Sequence, residues 1–294
     1  MTVNLRSVTR VLILLAFVAS MSIAQDSGRR RGYGGGYGGG RGFGGPIDPD
    51  QVDRGNVPTW EIDPHFKSDV FTFVRIQYSS HRRPYAWQTD FPDSDLNFTF
   101  RLQQVTSLKV DPHFKILELT DDKLFDYPFI YMLEVGGLDF TDEEVTALRR
   151  YLLNGGFLMV DDHWGDADYE NFRDQIKRVL PEYDPAELPL DHPIFHCIYD
   201  LKAKPQIPGI DWARRRRAMG STATWERDGD PSTHDPHYRG IFDNKRRMMV
   251  LICTNTDLGD GWEREGAEEW YFHQFSETQA YPMGINIVFY AMTH

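Results

Sequence analysis

The chain has 294 residues, a formal net charge of −12 and two cysteines. That length allows one large or two small domains, and two cysteines with no Cys-x-x-Cys pair exclude a structural zinc site. The acidic balance argues against nucleic acid or an anionic membrane as a partner, since both repel a surface of like sign.

Residues 1–24 read as a secretory signal. Arg6 and Arg10 give a basic start, Val11 to Val18 an apolar stretch, and Ser22-Ile23-Ala24 small residues for cleavage. The apolar stretch falls short of the ~20 residues that span a bilayer. The expectation is therefore an exported protein, periplasmic or envelope-associated, with no stable membrane span once the signal is removed. Residues 25–60 read as a Gly-rich tether, because glycine loses more backbone entropy on ordering than such a segment recovers by packing. Residues 61–294 read as a single α/β domain. Leader and tether are basic, so this domain is more acidic than the whole chain.

Within the domain, Asp69 to Tyr78 is rich in β-branched and aromatic residues and predicts a first strand. An aromatic, basic loop follows, with Arg82, Arg83 and Trp87. Asp95 to Ser107 predicts a helix with Asp95 as N-cap. Phe114 to Leu119 and Phe129 to Leu133 predict two more strands. Thr141 with Glu144 three residues on forms a capping box, and Asn154-Gly155-Gly156 ends that helix. Phe157 to Val160 predicts a fourth strand, Tyr169 to Leu180 a helix, Met248 to Cys253 a late strand and Pro282 to Met292 a final helix. Residues 188–232 are irregular and read as an insertion. Strands alternating with helices predict a doubly wound, mainly parallel sheet with helices on both faces. Asp63 to Lys67 and Asp111 to Lys115 share the string DPHFK, read as turn signals. Cys197 and Cys253 lie in apolar contexts and read as unpaired buried thiols.

Four groups are candidates for chemistry. The fourth strand runs into Asp161-Asp162-His163-Trp164-Gly165-Asp166, at the end of a strand where open α/β sheets bind ligands. Asp162, His163 and Asp166 could hold a divalent cation; oxygen donors suit Ca²⁺, Mg²⁺ or Mn²⁺, and a histidine shifts the preference toward Mn²⁺ or Zn²⁺. Against this stands a helix N-cap at Asp166 or Asp168. Asp257 to Glu263 (DLGDGWE) resembles a loose oxygen-ligand loop, with Trp262 as a lid or sugar platform, but reads more simply as an acidic loop with one packing Trp. Arg82, Arg83 and Trp87 suit a carboxylate, phosphate or sugar. Asp191-His192-Pro193-Ile194 sets a carboxylate beside an imidazole that could act as a general base, or one that simply bonds backbone. No Walker loop, dinucleotide fingerprint or Ser-His-Asp arrangement is recognisable. Apart from that cation, no cofactor is expected.

The strings LFDYPFIYM, LRRYLLNGGFLMVDDHWGD, LPLDHPIFHCIYDL, NTDLGDGWE and YPMGINIVFYAM together resemble the bacterial family catalogued as domain of unknown function 4159, from about Asp69 to Met292. The resemblance implies a class I glutamine amidotransferase-like, flavodoxin-like fold, with His192 near the top of the sheet. It also implies envelope protein partners, since some relatives stand beside membrane-anchored proteins with von Willebrand A modules. A glutaminase of that fold carries a Cys on the turn after the strand that here is Phe157 to Val160. This chain has Asp161-Asp162-His163 there, so glutamine hydrolysis is not expected. The leading expectation is a noncatalytic ligand- or partner-binding module, and the alternative a metal-dependent hydrolase acting on carbohydrate or peptide. The alternative requires Asp162, His163 and His192 to converge on one point.

Overall fold

The structure, a computed structural model, describes residues 47–66 and 69–294. The expected signal and the tether as far as residue 46 lie outside the described residues. Residues 47–60, read as the end of the tether, are held on the domain. The Trp60 indole donates to the Val110 carbonyl at 2.7 Å and Arg54 to the Pro112 carbonyl at 2.7 Å.

One sheet organises the fold. Its strands are β1 (Val74–Gln77), β2 (Lys115–Glu118), β3 (Phe129–Leu133), β4 (Phe157–Asp161), β5 (Ala186–Glu187), β6 (His237–Phe242) and β7 (Met248–Thr254), in the order β2-β1-β3-β4-β7-β6-β5. The first five in that order are parallel, and β6 and β5 pair antiparallel at the edge. The chain runs from β1 outward to β2, then back across to β3. That reversal makes the carboxyl ends of β1 and β3 a topological switch point, where such sheets leave a crevice.

The central strands are apolar throughout because both faces are covered. In β4, Phe157 and Met159 join one core layer and Leu158 and Val160 the other. The first layer is closed by α1 (Asp93–Val105), α4 (Ile210–Ala218), α5 (Leu258–Glu263) and α7 (Tyr281–Thr293), and the second by α2 (Asp142–Leu153) and α3 (Gly165–Val179). A short turn, α6 (Glu269–Tyr271), and a π-helical segment (Phe272–Ala280) lead into α7. Among the described residues no helix is long and apolar enough to cross a membrane.

Several local expectations hold. The Thr141–Glu144 capping box is complete in both directions. Gly155 takes φ +112° where α2 stops. In both DPHFK strings the first Asp accepts the backbone N–H of the His two residues on, as a turn should. Both cysteines are unpaired, Cys253 buried in β7 and Cys197 half-buried.

Others are corrected. Asp95 is not an N-cap: α1 starts at Asp93, and the Asp95 carboxylate turns inward to a fully buried ion pair with Arg75 of β1. Nor do Asp166 and Asp168 cap α3, which begins four residues before Tyr169. Its first N–H groups are satisfied from far along the chain: Asn255 Oδ1 accepts from Gly165 at 2.7 Å and Ser232 Oγ from Asp166 at 3.0 Å. The strand β6, with Gly240 in its middle, and the polar π-helical segment carry no period that a sequence reading would register.

Candidate functional site

The last residue of β4 and the one after it part ways. Asp161 is fully buried and points into the α1–α7 layer, where its Oδ2 accepts from the Gly259 N–H (3.0 Å) and the Tyr131 hydroxyl (3.2 Å). Its Oδ1 has no hydrogen-bond partner among the described residues, and burial holds its pKa up at about 7. Asp162 adopts a left-handed backbone, φ +49°, which swings its side chain out of the pleat and into the crevice. There, among the described residues, its one side-chain hydrogen bond is from the Trp164 indole at 3.2 Å.

Two further carboxylates meet Asp162. Asp90 arrives from the loop after β1, also left-handed at φ +62°. Asp257 arrives from the end of β7, where it caps α5 by accepting the Asp260 N–H at 2.7 Å. One oxygen each of Asp90, Asp162 and Asp257 lies within 4.8 Å of the others. Asp90, Asp260 and Glu263 form a second such set. The sets differ in their surroundings. Arg264 neutralises the second, donating to Asp260 at 2.7 Å and pairing with Glu263 at 2.7 Å. Among the described residues no ion pair reaches Asp90, Asp162 or Asp257. Burial, then like charges nearby, raises all three well above the usual carboxylate range; for Asp162 the neighbours are Glu134, Asp90 and Glu226. Three carboxylates this close, two buried and one half-buried, with no basic partner among the described residues, are relieved by protonation or by a shared cation.

The Asp90 Oδ2 atom is buried and accepts no hydrogen bond among the described residues. Gly259 leaves it room: a Cβ there would overlap that oxygen and come within 3.0 Å of the Tyr131 hydroxyl. The loop that presents Asp90 is held from beneath by Arg75, which bonds the Trp87 carbonyl (2.9 Å), the Thr89 carbonyl (3.0 Å), Ser94 Oγ (2.9 Å) and Asp95. Six non-glycine residues among those described have positive φ, and five of them, Asp90, Glu134, Asp162, Arg227 and Asn255, gather at this end of the sheet. Backbone conformations of this kind concentrate where function constrains the chain.

Over residues 72–292 the chain matches the family described as Domain of unknown function (DUF4159). The chain belongs to that family. Among curated proteins none matches it. The DUF4159 match spans both carboxylate sets and every arginine at the mouth of the crevice.

Those arginines line the rim of the DUF4159 crevice. Arg82 and Arg227 both donate to Asp168, a nearly buried carboxylate in the first turn of α3, and Arg227 also donates to the Trp164 carbonyl at 2.6 Å. Arg83 pairs with Glu134, after β3, at 2.9 Å. The two arginines outweigh burial and hold Asp168 below its usual range. Gly136 makes the seat for Asp168, since a Cβ there would collide with its carboxyl group. On the insertion side Glu226 accepts the Gly209 N–H at 2.7 Å, and burial lifts its pKa to about 7.

The other predicted residues are elsewhere. His163 turns to the opposite face, beside Phe172, with Nε2 at 2.9 Å from Thr254 Oγ1, and joins neither carboxylate set. Burial lowers its pKa to about 4, so the imidazole is neutral. Asp166 is exposed and outside the crevice. Trp164 is buried and serves Asp162 through its indole. Trp87 is buried in the second core layer. Trp262 is neither lid nor platform: it is fully buried, stacked on Phe98 at 4.3 Å, with its indole bonded to the Ala280 carbonyl. His192 packs on Tyr290 and Phe242, and its Nδ1 accepts the Ile194 N–H at 3.3 Å. Phe242 faces Met248, where β7 begins, so His192 sits at the amino end of the parallel strands, opposite the crevice. An open recess of about 460 Å³ between Phe125 and Arg150 is also acidic, but its Asp142 is exposed and paired with Arg178.

Sequence reading missed Asp90, Glu134, Glu226 and Arg227. The one available signal was position: Asp90 and Glu134 follow the first and third strands, the two that border a switch point.

Proposed function

We propose that this DUF4159 protein is an exported binding module that holds a divalent cation in its crevice through Asp90, Asp162 and Asp257 and recognises its ligand there. The observation that carries this is the buried, unpartnered Asp90 Oδ2, set beside two carboxylates that also lack a basic partner. All-oxygen donors favour Ca²⁺, Mg²⁺ or Mn²⁺, and with His163 on the other face the reason to expect Zn²⁺ goes. The leader at residues 1–24 supports export, and the envelope is the setting this reading assigns.

The parallel strands follow the 2-1-3-4-5 order of flavodoxin-like sheets, which supports a glutamine amidotransferase-like ancestry. The left-handed turn after β4, where such an enzyme needs its thiol, carries Asp162. Cys253 is sealed inside β7 with its thiol pKa pushed up by burial, and Cys197 donates to the Asn286 carbonyl on α7. Neither is placed as a nucleophile. The hydrolase alternative needed Asp162, His163 and His192 together, and they occupy three separate places.

The test is Mn²⁺ titration of EDTA-stripped protein, followed by calorimetry and by the electron spin resonance of free Mn²⁺. One saturable site is expected, lost in Asp90→Asn and Asp162→Asn and kept in Asp166→Asn. Absence of saturable binding of Mn²⁺, Ca²⁺ and Mg²⁺ at millimolar concentration would overturn the proposal.

A further inference from the structure

We infer that Arg82, Arg83 and Arg227 form an oxyanion subsite at the crevice mouth, which takes a carboxylate or phosphate group of the ligand. They come from two places in the chain's path: the loop after β1 supplies two and the insertion the third. Their side chains remain 50%, 51% and 43% exposed. Each is fixed by a carboxylate on its inner side, Arg82 and Arg227 by Asp168 and Arg83 by Glu134. Three guanidinium groups thus share two carboxylates. A guanidinium has five donors in a planar fork that matches carboxylate and phosphate oxygens; Arg83 also gives one to the Thr89 hydroxyl and Arg227 one to the Trp164 carbonyl, and all three side chains stay about half exposed. Asp230, a further carboxylate near Arg227, accepts from Ser232 through both its N–H (3.0 Å) and its hydroxyl (2.6 Å). The mouth therefore gathers half-exposed guanidinium donors above an acidic floor, on a chain whose net charge is −12.

The arginine bound to Asp168 from the insertion side is itself left-handed, φ +56°. That backbone folds Arg227 back over the first turn of α3 toward Arg82. Its proximity also moderates the pKa values of Glu134 and Glu226, so it stands between the rim and the floor. A ligand with one oxyanion on this rim places its next oxygens toward Asp162. This second attachment rests on the cation reading; the rim itself does not.

The experiment titrates inorganic phosphate, and separately succinate, into Mn²⁺-loaded and EDTA-stripped protein by calorimetry. Saturable binding of at least one anion is expected, tightened about tenfold or more by Mn²⁺. Arg82→Gln and Arg227→Gln should each weaken it about tenfold, with Mn²⁺ affinity in the absence of anion unchanged and the native circular dichroism kept, and Arg227→Lys should recover part of the loss. Preference for phosphate or for succinate tells which group the ligand carries. Failure of both anions to bind Mn²⁺-loaded protein would overturn the inference and leave the cation site standing. Anion binding indifferent to Arg82→Gln and Arg227→Gln would overturn it as well. Anion binding that depends on these arginines in a protein unable to bind Mn²⁺ would support the rim and remove the cation.

Discussion

Stripping divalent cations should make the fold lose stability as pH rises from 5.5 to 8. Burial holds Asp161 and Glu226 at about 7, against values near 4 in the unfolded chain. A carboxyl with a raised folded pKa contributes fully below its unfolded value and loses that contribution as pH climbs through the folded one. From pH 5.5 upward Asp161 would withdraw about 2 kcal/mol, at 1.36 kcal/mol per unit, and the partly exposed Glu226 somewhat less. His163 acts in the opposite sense. Its folded pKa is depressed to about 4, so its contribution is present above the unfolded value near 6.5 and is regained, by about 1 kcal/mol, as pH rises from 5.5 to 6.5. The net expectation is a loss of about 2 kcal/mol in EDTA, deepened by Asp90, Asp162 and Asp257, whose pKa values are raised in the same sense. Mn²⁺ at a hundred times its dissociation constant should restore about 2.7 kcal/mol at pH 8 and less at pH 5.5, where protons compete for the same oxygens. Urea unfolding followed by tryptophan fluorescence measures both. Stability flat or rising with pH in EDTA, or an Mn²⁺ effect no larger at pH 8 than at pH 5.5, would refute the reasoning.

Three further outcomes are expected. Arg75→Met leaves the buried Asp95 carboxyl with only the Ser94 hydroxyl of its present partners and frees the Trp87 and Thr89 carbonyls, so urea unfolding should register a loss of about 3–5 kcal/mol. Gly259→Ala drives a methyl against Asp90 Oδ2; Mn²⁺ affinity should fall about tenfold or more, near 1.4 kcal/mol, while circular dichroism keeps the native spectrum. Trp262→Ala opens a cavity beside Phe98 and should cost about 3–5 kcal/mol of stability; a variant of native stability would restore Trp262 as a ligand platform.

The framework was legible because it is written locally. Continuous apolar runs at Phe129 to Leu133 and Phe157 to Val160 announce buried parallel strands, and Thr141 with Glu144 marks a helix start that needs no distant partner. The crevice was only half legible. Asp161 and Asp162 stand at the end of a visible strand, but the left-handed turn that separates them comes from contacts with the Glu134 and Asn255 segments, and no local residue signals it. Alternation therefore gave no warning that His163 would face Thr254. Trp87 reads as a surface aromatic beside polar neighbours, whereas tertiary packing buries it; for Trp262 the packing reading holds. Asp90 lies in a loop of ordinary turn residues, and its importance depends on Arg75, whose charge inside a strand is the clearest departure from pattern in that region. Arg227 could not be placed at all, because the insertion that carries it has no period to follow.

Gly136 touches no candidate ligand group, yet it governs the aperture. Its bare backbone lets the Asp168 carboxyl settle where it can grip Arg82 from one lip and Arg227 from the other. A single methyl at that position would expel the shared clasp and let both lips drift apart together, so the gauge of the opening is set by a residue with no chemistry of its own.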